Sequence, residues 1–228
     1  VKLIDAEKLL KNKYMHLLVV LFVFIVTLPL ISREEKALRF SLISVITLVA
    51  VLLALRTVVT RKSVFMVYTA LAAFAFALDF LPPLLLPNQP HIVTAMSILG
   101  LAIFIIFLLI SIAAMLQKMF RTLKVNIDTI FGGVSIYVLM GIMWACGYIL
   151  ISEIDPGAFE TVNKVSFFYF SYTTLTTLGY GDIVPINEYA MVMANLEALA
   201  GQLYLAVFVA RLVGLYIVTE MQKEPKNP

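Results

Sequence analysis

Six stretches of this chain, Tyr14 to Ile31, Phe40 to Leu55, Val64 to Leu81, Ile92 to Leu116, Thr129 to Ser152 and Tyr189 to Val218, are apolar and nearly free of charge. A bilayer core of about 30 Å is crossed by about 20 apolar residues of helix, so each stretch has the length of a transmembrane span. The second is short unless its helix runs on and Arg56 snorkels to the headgroups. The third carries Asp79 near one end, where it reads as a solvated outer cap. Of the 228 residues, 62% are apolar and 14% charged, whereas soluble domains stand near half and a quarter. That balance excludes a water-soluble enzyme. One cysteine, Cys146, makes neither a disulfide framework nor a four-cysteine metal site. A net charge of +3 is too small to point to nucleic acid.

Basic residues in short loops resist translocation and set orientation. Lys2, Lys8, Lys11 and Lys13 precede the first stretch, Arg56, Arg61 and Lys62 follow the second, and Lys118, Arg121 and Lys124 follow the fourth. These segments, and with them both termini, are expected on the cytoplasmic side. Arg33, Lys36 and Arg39 run against the rule in the first outer loop, accompanied by Glu34 and Glu35. The first stretch is followed by five more and flanked by charge, so it reads as a span rather than a removable leader.

Between the fifth and sixth stretches lies a segment too apolar for a plain outer loop. Residues 164–176 read as one short helix, capped by Asn163, about 20 Å long at 1.5 Å per residue. That length enters a membrane without crossing it. LGYGDIVP follows at once, where two glycines, an Asp and a Pro end the helix and force an extended return. Non-helical backbone at membrane depth has to be buried in protein or line water, and a pore meets that requirement.

The sequence TTLGYGD, Thr176 to Asp182, resembles the signature of potassium channels, and the resemblance to the pore module of tetrameric potassium channels covers about Thr129 to Val218. Leu178 stands where Val is usual. The resemblance implies an all-α membrane protein with six transmembrane helices and a re-entrant pore helix and selectivity filter between helices 5 and 6. It implies that carbonyls of Thr177, Leu178, Gly179 and Tyr180, with the Thr177 hydroxyl, replace the hydration shell of K+, the permeant ion. Gly179 and Gly181 can take φ > 0 without a Cβ clash, which lets the strand align its oxygens. Tyr180 is expected to pack on Tyr169 and Phe170, and Asp182 to accept a hydrogen bond from Tyr169; Thr173 and Thr176 complete the support. A thousandfold preference for potassium over sodium corresponds to about 4 kcal/mol, within reach of several weak coordination differences. No cofactor is expected. The outer segment carries Glu153, Asp155, Glu160, Asp182 and Glu188 against Lys164, a mouth that would concentrate cations.

One GYG strand cannot encircle an ion, and no second copy of the motif occurs, so a homotetramer is expected rather than a single chain of joined modules. Gly201, nineteen residues after Asp182, falls where the resemblance places the hinge of the inner helix; the alternative is that it permits close packing on the pore helix. Gln202, Leu205, Val209, Val213 and Ile217 share one helical stripe, a candidate cavity lining and inner constriction. Glu197, costly within a span unless paired, is expected to meet Tyr172 or Thr173 behind the filter, as a gating group or as a protonated structural acid. Arg211 is expected to snorkel to lipid phosphate in preference to forming a salt bridge that latches the gate. Trp144 and Tyr148 read as lipid-facing or packing residues.

Moving one charge across 100 mV yields about 2.3 kcal/mol, so a voltage sensor needs several arginines, and the fourth stretch contains no charged residue. The expected organisation is a four-helix region over 1–117, an interfacial linker over 118–128, a pore domain over 129–219 and a short cytoplasmic tail over 220–228. The expected product is a potassium-selective channel of the cell membrane, not gated by its fourth helix. The alternative is a weakly selective monovalent cation channel. An intramembrane enzyme would need a nucleophile and base together at depth, and no serine and histidine pair offers them.

Overall fold

The computed structural model describes residues 13–31, 62–122, 126–160 and 166–221. Six helices occur among them: α1 Lys13–Ile31, α2 Lys62–Leu85, α3 Pro90–Arg121, α4 Ile127–Ile154, α5 Ser166–Leu175 and α6 Glu188–Met221. No strand occurs among the described residues, only an isolated antiparallel bridge between Phe159 and Pro185. The span expected at Phe40 to Leu55 lies outside the described residues, as do Asn163, Lys164, Lys124 and the basic residues of the first loop. By length and composition α2, over Met66–Leu85, and α3, α4 and α6 can each cross a membrane; α1 contributes a shorter apolar helix over Tyr14–Thr27.

Helix ends depart from the apolar limits where charge or proline interrupted the reading. α2 continues through Pro82 and Pro83 to Leu85, and the Leu86 amide still closes a turn on the Pro82 carbonyl at 2.9 Å. α3 starts with Pro90, where a missing N–H leaves no bond unmade, and ends on Lys118 and Arg121, which favour the negative end of the helix dipole. Of the expected 118–128 linker, residues 118–121 therefore belong to α3, and Ile127 and Asp128 open α4. Asn126 caps α4 by accepting from the Thr129 amide at 2.7 Å. Asp128, in the first turn, accepts from the Tyr14 amide at 3.2 Å, so α1 and α4 begin side by side.

α4 is the centre of the core. Leu17, Leu21 and Phe24 of α1, Phe107, Leu108 and Met115 of α3, Phe167 and Phe168 of α5 and Phe208 of α6 are buried with Ile136, Leu139, Ile142 and Tyr148 of α4 in one cluster. α5 approaches α4 closely: a Cβ on Gly141 would lie 2.4 Å from the Tyr172 ring, whose hydroxyl donates to the Val138 carbonyl at 2.8 Å. α6 is different. Val192, Leu196, Leu199, Leu203 and Val209 are all exposed on it, an apolar surface that one chain leaves open.

Candidate functional site

The short helix α5 delivers the chain into TTLGYGD. Its last turn tightens as the Thr176 amide bonds the Tyr172 carbonyl at 3.1 Å and the Thr177 amide bonds that of Thr174 at 2.9 Å. The Leu178 and Gly179 amides then both fold back on the Thr173 carbonyl, at 2.8 and 3.1 Å. Thr173 and Thr176 spend their hydroxyls on α5 itself, donating to the carbonyls of Phe170 at 2.9 Å and Tyr172 at 2.6 Å.

From there, every second residue is left-handed: Thr177 at φ 58°, Gly179 at 53° and Gly181 at 77°. Alternation of hand turns successive peptide groups so that their carbonyls face one side of an extended strand. Glycine adopts this without steric cost, whereas a β-branched residue held there costs about 1–3 kcal/mol. Thr177 is held by its own contacts: its hydroxyl donates to the Thr176 carbonyl at 2.7 Å and accepts from Nε2 of Gln202 at 3.3 Å. The left-handed Thr177 was not anticipated by reasoning on glycine alone. The two-residue spacing of 177, 179 and 181 was the available signal.

Leu178 and Tyr180 are exposed. The Tyr180 ring lies parallel to that of Tyr169, centroids 6.3 Å apart and planes within 1°, and the Tyr169 hydroxyl hydrogen-bonds the Asp182 carboxylate. Phe170, expected beside Tyr180, is instead buried against Tyr148 at 4.8 Å and Phe159 at 5.6 Å, because it lies on the α4 side of α5. Phe159 belongs to a loop that clips the return strand: the Ile186 amide bonds the Ala158 carbonyl at 2.8 Å, and Asn187 Nδ2 donates to Asp155 at 2.7 Å. Asn187 also caps α6 through the Ala190 amide at 2.8 Å.

On α6, Glu197 has no exposed surface, and its carboxyl is hydrogen-bonded to Tyr148 of α4 and Ser171 of α5. The expected partners were Tyr172 or Thr173; their hydroxyls are committed to Val138 and Phe170, leaving the neighbouring Ser171 to face α6. Tyr148, read from sequence as a lipid-facing or packing residue, is fully buried and a direct partner. Gly201, one turn on, lies against the end of α5: an added Cβ would be 2.3 Å from the Leu175 carbonyl oxygen, and α6 is helical throughout. Gly201 thus packs closely on the end of α5. Gln202, Leu205, Val209, Val213 and Ile217 form a continuous exposed stripe along α6.

Arg211, expected to snorkel to lipid phosphate in preference to forming a salt bridge, meets main-chain carbonyls at the end of α3 within the chain. Its Nη2 lies 2.8, 2.9 and 2.6 Å from the carbonyls of Met119, Phe120 and Thr122, and its guanidinium stacks 4.9 Å from the Phe120 ring centroid. These carbonyls lie at the C-terminal end of α3, where the helix supplies no further turn of amides; that of Met119 also accepts from the Thr122 amide at 3.2 Å. Hydrogen bonds to a charged donor contribute about 1.5–3 kcal/mol, so Arg211→Ala is expected to lower the thermal unfolding midpoint of detergent-solubilised protein visibly. Lysine at 211, lacking the planar fork, is expected to recover only part of the shift.

The family model described as "Ion channel" matches residues 129–217. An inward rectifier potassium channel, Kirbac3.1 of Paramagnetospirillum magnetotacticum, is 36% identical over 76 residues, 32% of this chain and 24% of that protein. Two pore potassium channel a of Oryza sativa subsp. japonica is 28% identical over 107 residues, 46% of this chain and 29% of that protein. The chain thus spans about a quarter of the length of these curated relatives. No solved structure matches it significantly. α5, the GYGD segment and nearly all of α4 and α6 lie inside residues 129–217, so the part of this multi-pass membrane chain that matches the ion-channel model, and that is similar to segments of two potassium channels, is the part that holds the site.

Proposed function

We propose that four copies of this chain assemble about one axis into a potassium-selective channel that conducts K+ passively across the cell membrane. The observation that carries the reading is the alternation of left-handed residues at 177, 179 and 181, directly behind a ten-residue helix and between two helices of membrane length. In this reading α5 is re-entrant, its negative C-terminal end aimed at the cavity. Four filter strands bring the carbonyls of Thr177, Leu178, Gly179 and Tyr180 around the ion in place of water. The exposed apolar surface of α6 and the exposed Leu178 and Tyr180 support assembly, since a lone chain would leave them uncovered.

The subunit has six spans and cytoplasmic termini, with residues 1–117 as a helical region, 118–128 joining it to the pore, 129–219 forming the pore and 220–228 a tail. Gln202, Leu205, Val209, Val213 and Ile217 line the cavity and its inner constriction, which bending near Gly201 widens. Four helix dipoles and an acidic mouth favour cations over anions.

Protein reconstituted in liposomes tests this directly. The reversal potential is expected to follow the potassium gradient, and native mass measurement to give four copies per particle. A potential midway between the potassium and sodium equilibria would replace this reading with that of a weakly selective cation channel, and monomers that conduct would refute it. Because α3 carries no charge between Pro90 and Gln117, conductance is expected to vary only weakly with voltage. A steep dependence carried by measurable gating charge would overturn that part.

A further inference from the structure

The buried contacts of Glu197 contain a proton count. Its Oε1 meets the Ser171 hydroxyl, its Oε2 meets the Tyr148 hydroxyl, and the same Ser171 oxygen lies 2.7 Å from the Gly141 carbonyl. A serine hydroxyl has one proton to give, and a backbone carbonyl can only accept. If Glu197 were a carboxylate, Ser171 could serve either it or Gly141, and one pair of oxygens would face each other with no hydrogen between them. With an acid proton on Oε1 every contact is satisfied: Tyr148 donates to Oε2, Oε1 donates to Ser171, and Ser171 donates to Gly141.

The surroundings agree with an uncharged group. The ionisable side chains near it, Tyr137 and Tyr148 from α4 and Tyr172 from α5, are phenols, uncharged at neutral pH, and its hydrogen-bond partners include no lysine or arginine. A carboxylate without exposed surface and without a cation would bear its full desolvation cost.

We propose that Glu197 works as a neutral acid whose own proton bridges α6 to α5 and, through Ser171, to α4. It is a positioning residue. Ser171 lies two residues before Thr173, whose carbonyl holds the Leu178 and Gly179 amides, so the bridge fixes the height of the helix end from which the filter strand hangs. Raising the pH strips the bridging proton, leaves Ser171 to abandon one acceptor, and places a negative charge behind the strand. The link to conduction rests on the channel reading above; the protonation state does not.

The experiment therefore has two arms, both on the full chain in lipid. Infrared spectroscopy at neutral pH is expected to show a carboxylic-acid C=O band that shifts in heavy water and is missing from Glu197→Gln. In flux assays, Glu197→Ala and Ser171→Ala are expected to lose about tenfold, the equivalent of about 1.4 kcal/mol. Glu197→Gln, whose amide N–H can replace the acid proton, should rescue the Glu197→Ala loss and remove the fall in flux at alkaline pH. Absence of a Glu197-dependent acid band, or a glutamine variant as impaired as the alanine one, overturns the proposal. If wild-type liposomes pass no potassium at all, the channel reading fails while the infrared arm still decides the bridge.

Discussion

Alanine in place of Gly179 or Gly181 is expected to abolish potassium flux while leaving the four-copy assembly intact. Both positions sit in the left-handed region, at φ 53° and 77°, where an L-residue costs about 1–2 kcal/mol more than glycine. No atom lies within 4 Å of a Cβ built at either position, so the subunit itself has nothing to clash with and should fold normally. The strain is relieved by the backbone alone, through rotation of the peptide out of the left-handed region. That rotation takes a carbonyl off the axis. In the proposed assembly of four subunits, the preference for the rotated state reaches about 4–8 kcal/mol, enough to empty the conducting arrangement. Liposome flux and particle mass measured on the same preparation check both halves, and unchanged flux would remove the filter from the account.

Alanine at Gly201 is expected to fail in the opposite way, through packing and stability. Its Cβ would lie 2.3 Å from the Leu175 carbonyl oxygen and 2.9 Å from Leu175 Cδ1. That carbonyl belongs to the end of α5 and also accepts from the Tyr137 hydroxyl at 3.1 Å, so it cannot retreat without breaking a second contact. Overpacking of this kind costs about 1–3 kcal/mol per site. The expected result is a lower unfolding midpoint and poorer recovery of tetramer. A residue needed only as a hinge would instead give normal stability with altered opening, so denaturation and single-channel recording on the one variant separate the two roles.

The apolar run lengths were sufficient to place α1, α3, α4 and α6, because hydrocarbon thickness dictates them. Their ends were less legible. Lys118 and Arg121 interrupt the hydropathy of α3, yet a helix C-terminus welcomes positive charge, so the helix ran on through them. The break after α5 was readable from GYGD, and the left-handed glycines follow from their missing Cβ. Thr177 was not, since its conformation is held by Gln202 from twenty-five residues away. Partners of buried polar groups were the hardest to anticipate. Arg211 binds main-chain carbonyls, which carry no mark in a sequence, and Glu197 selects Ser171 over Tyr172 by the rotation of α5 against α4, which only packing determines. Tyr148 looked ordinary because an aromatic in an apolar helix does not advertise where its hydroxyl ends.

α6 is tethered at several heights, one of them at Tyr204, whose hydroxyl donates to the Gly133 carbonyl of α4 at 2.7 Å. Asn187 fastens its top to Asp155, Glu197 secures its middle to α4 and α5, and Arg211 lashes its lower part to the closing turn of α3. A rod so anchored can bow between its fastenings but cannot swing as a whole. Lateral travel of its lower end must either drag the Met119 to Thr122 turn along or snap the guanidinium free, so the first cost of such travel falls on α3.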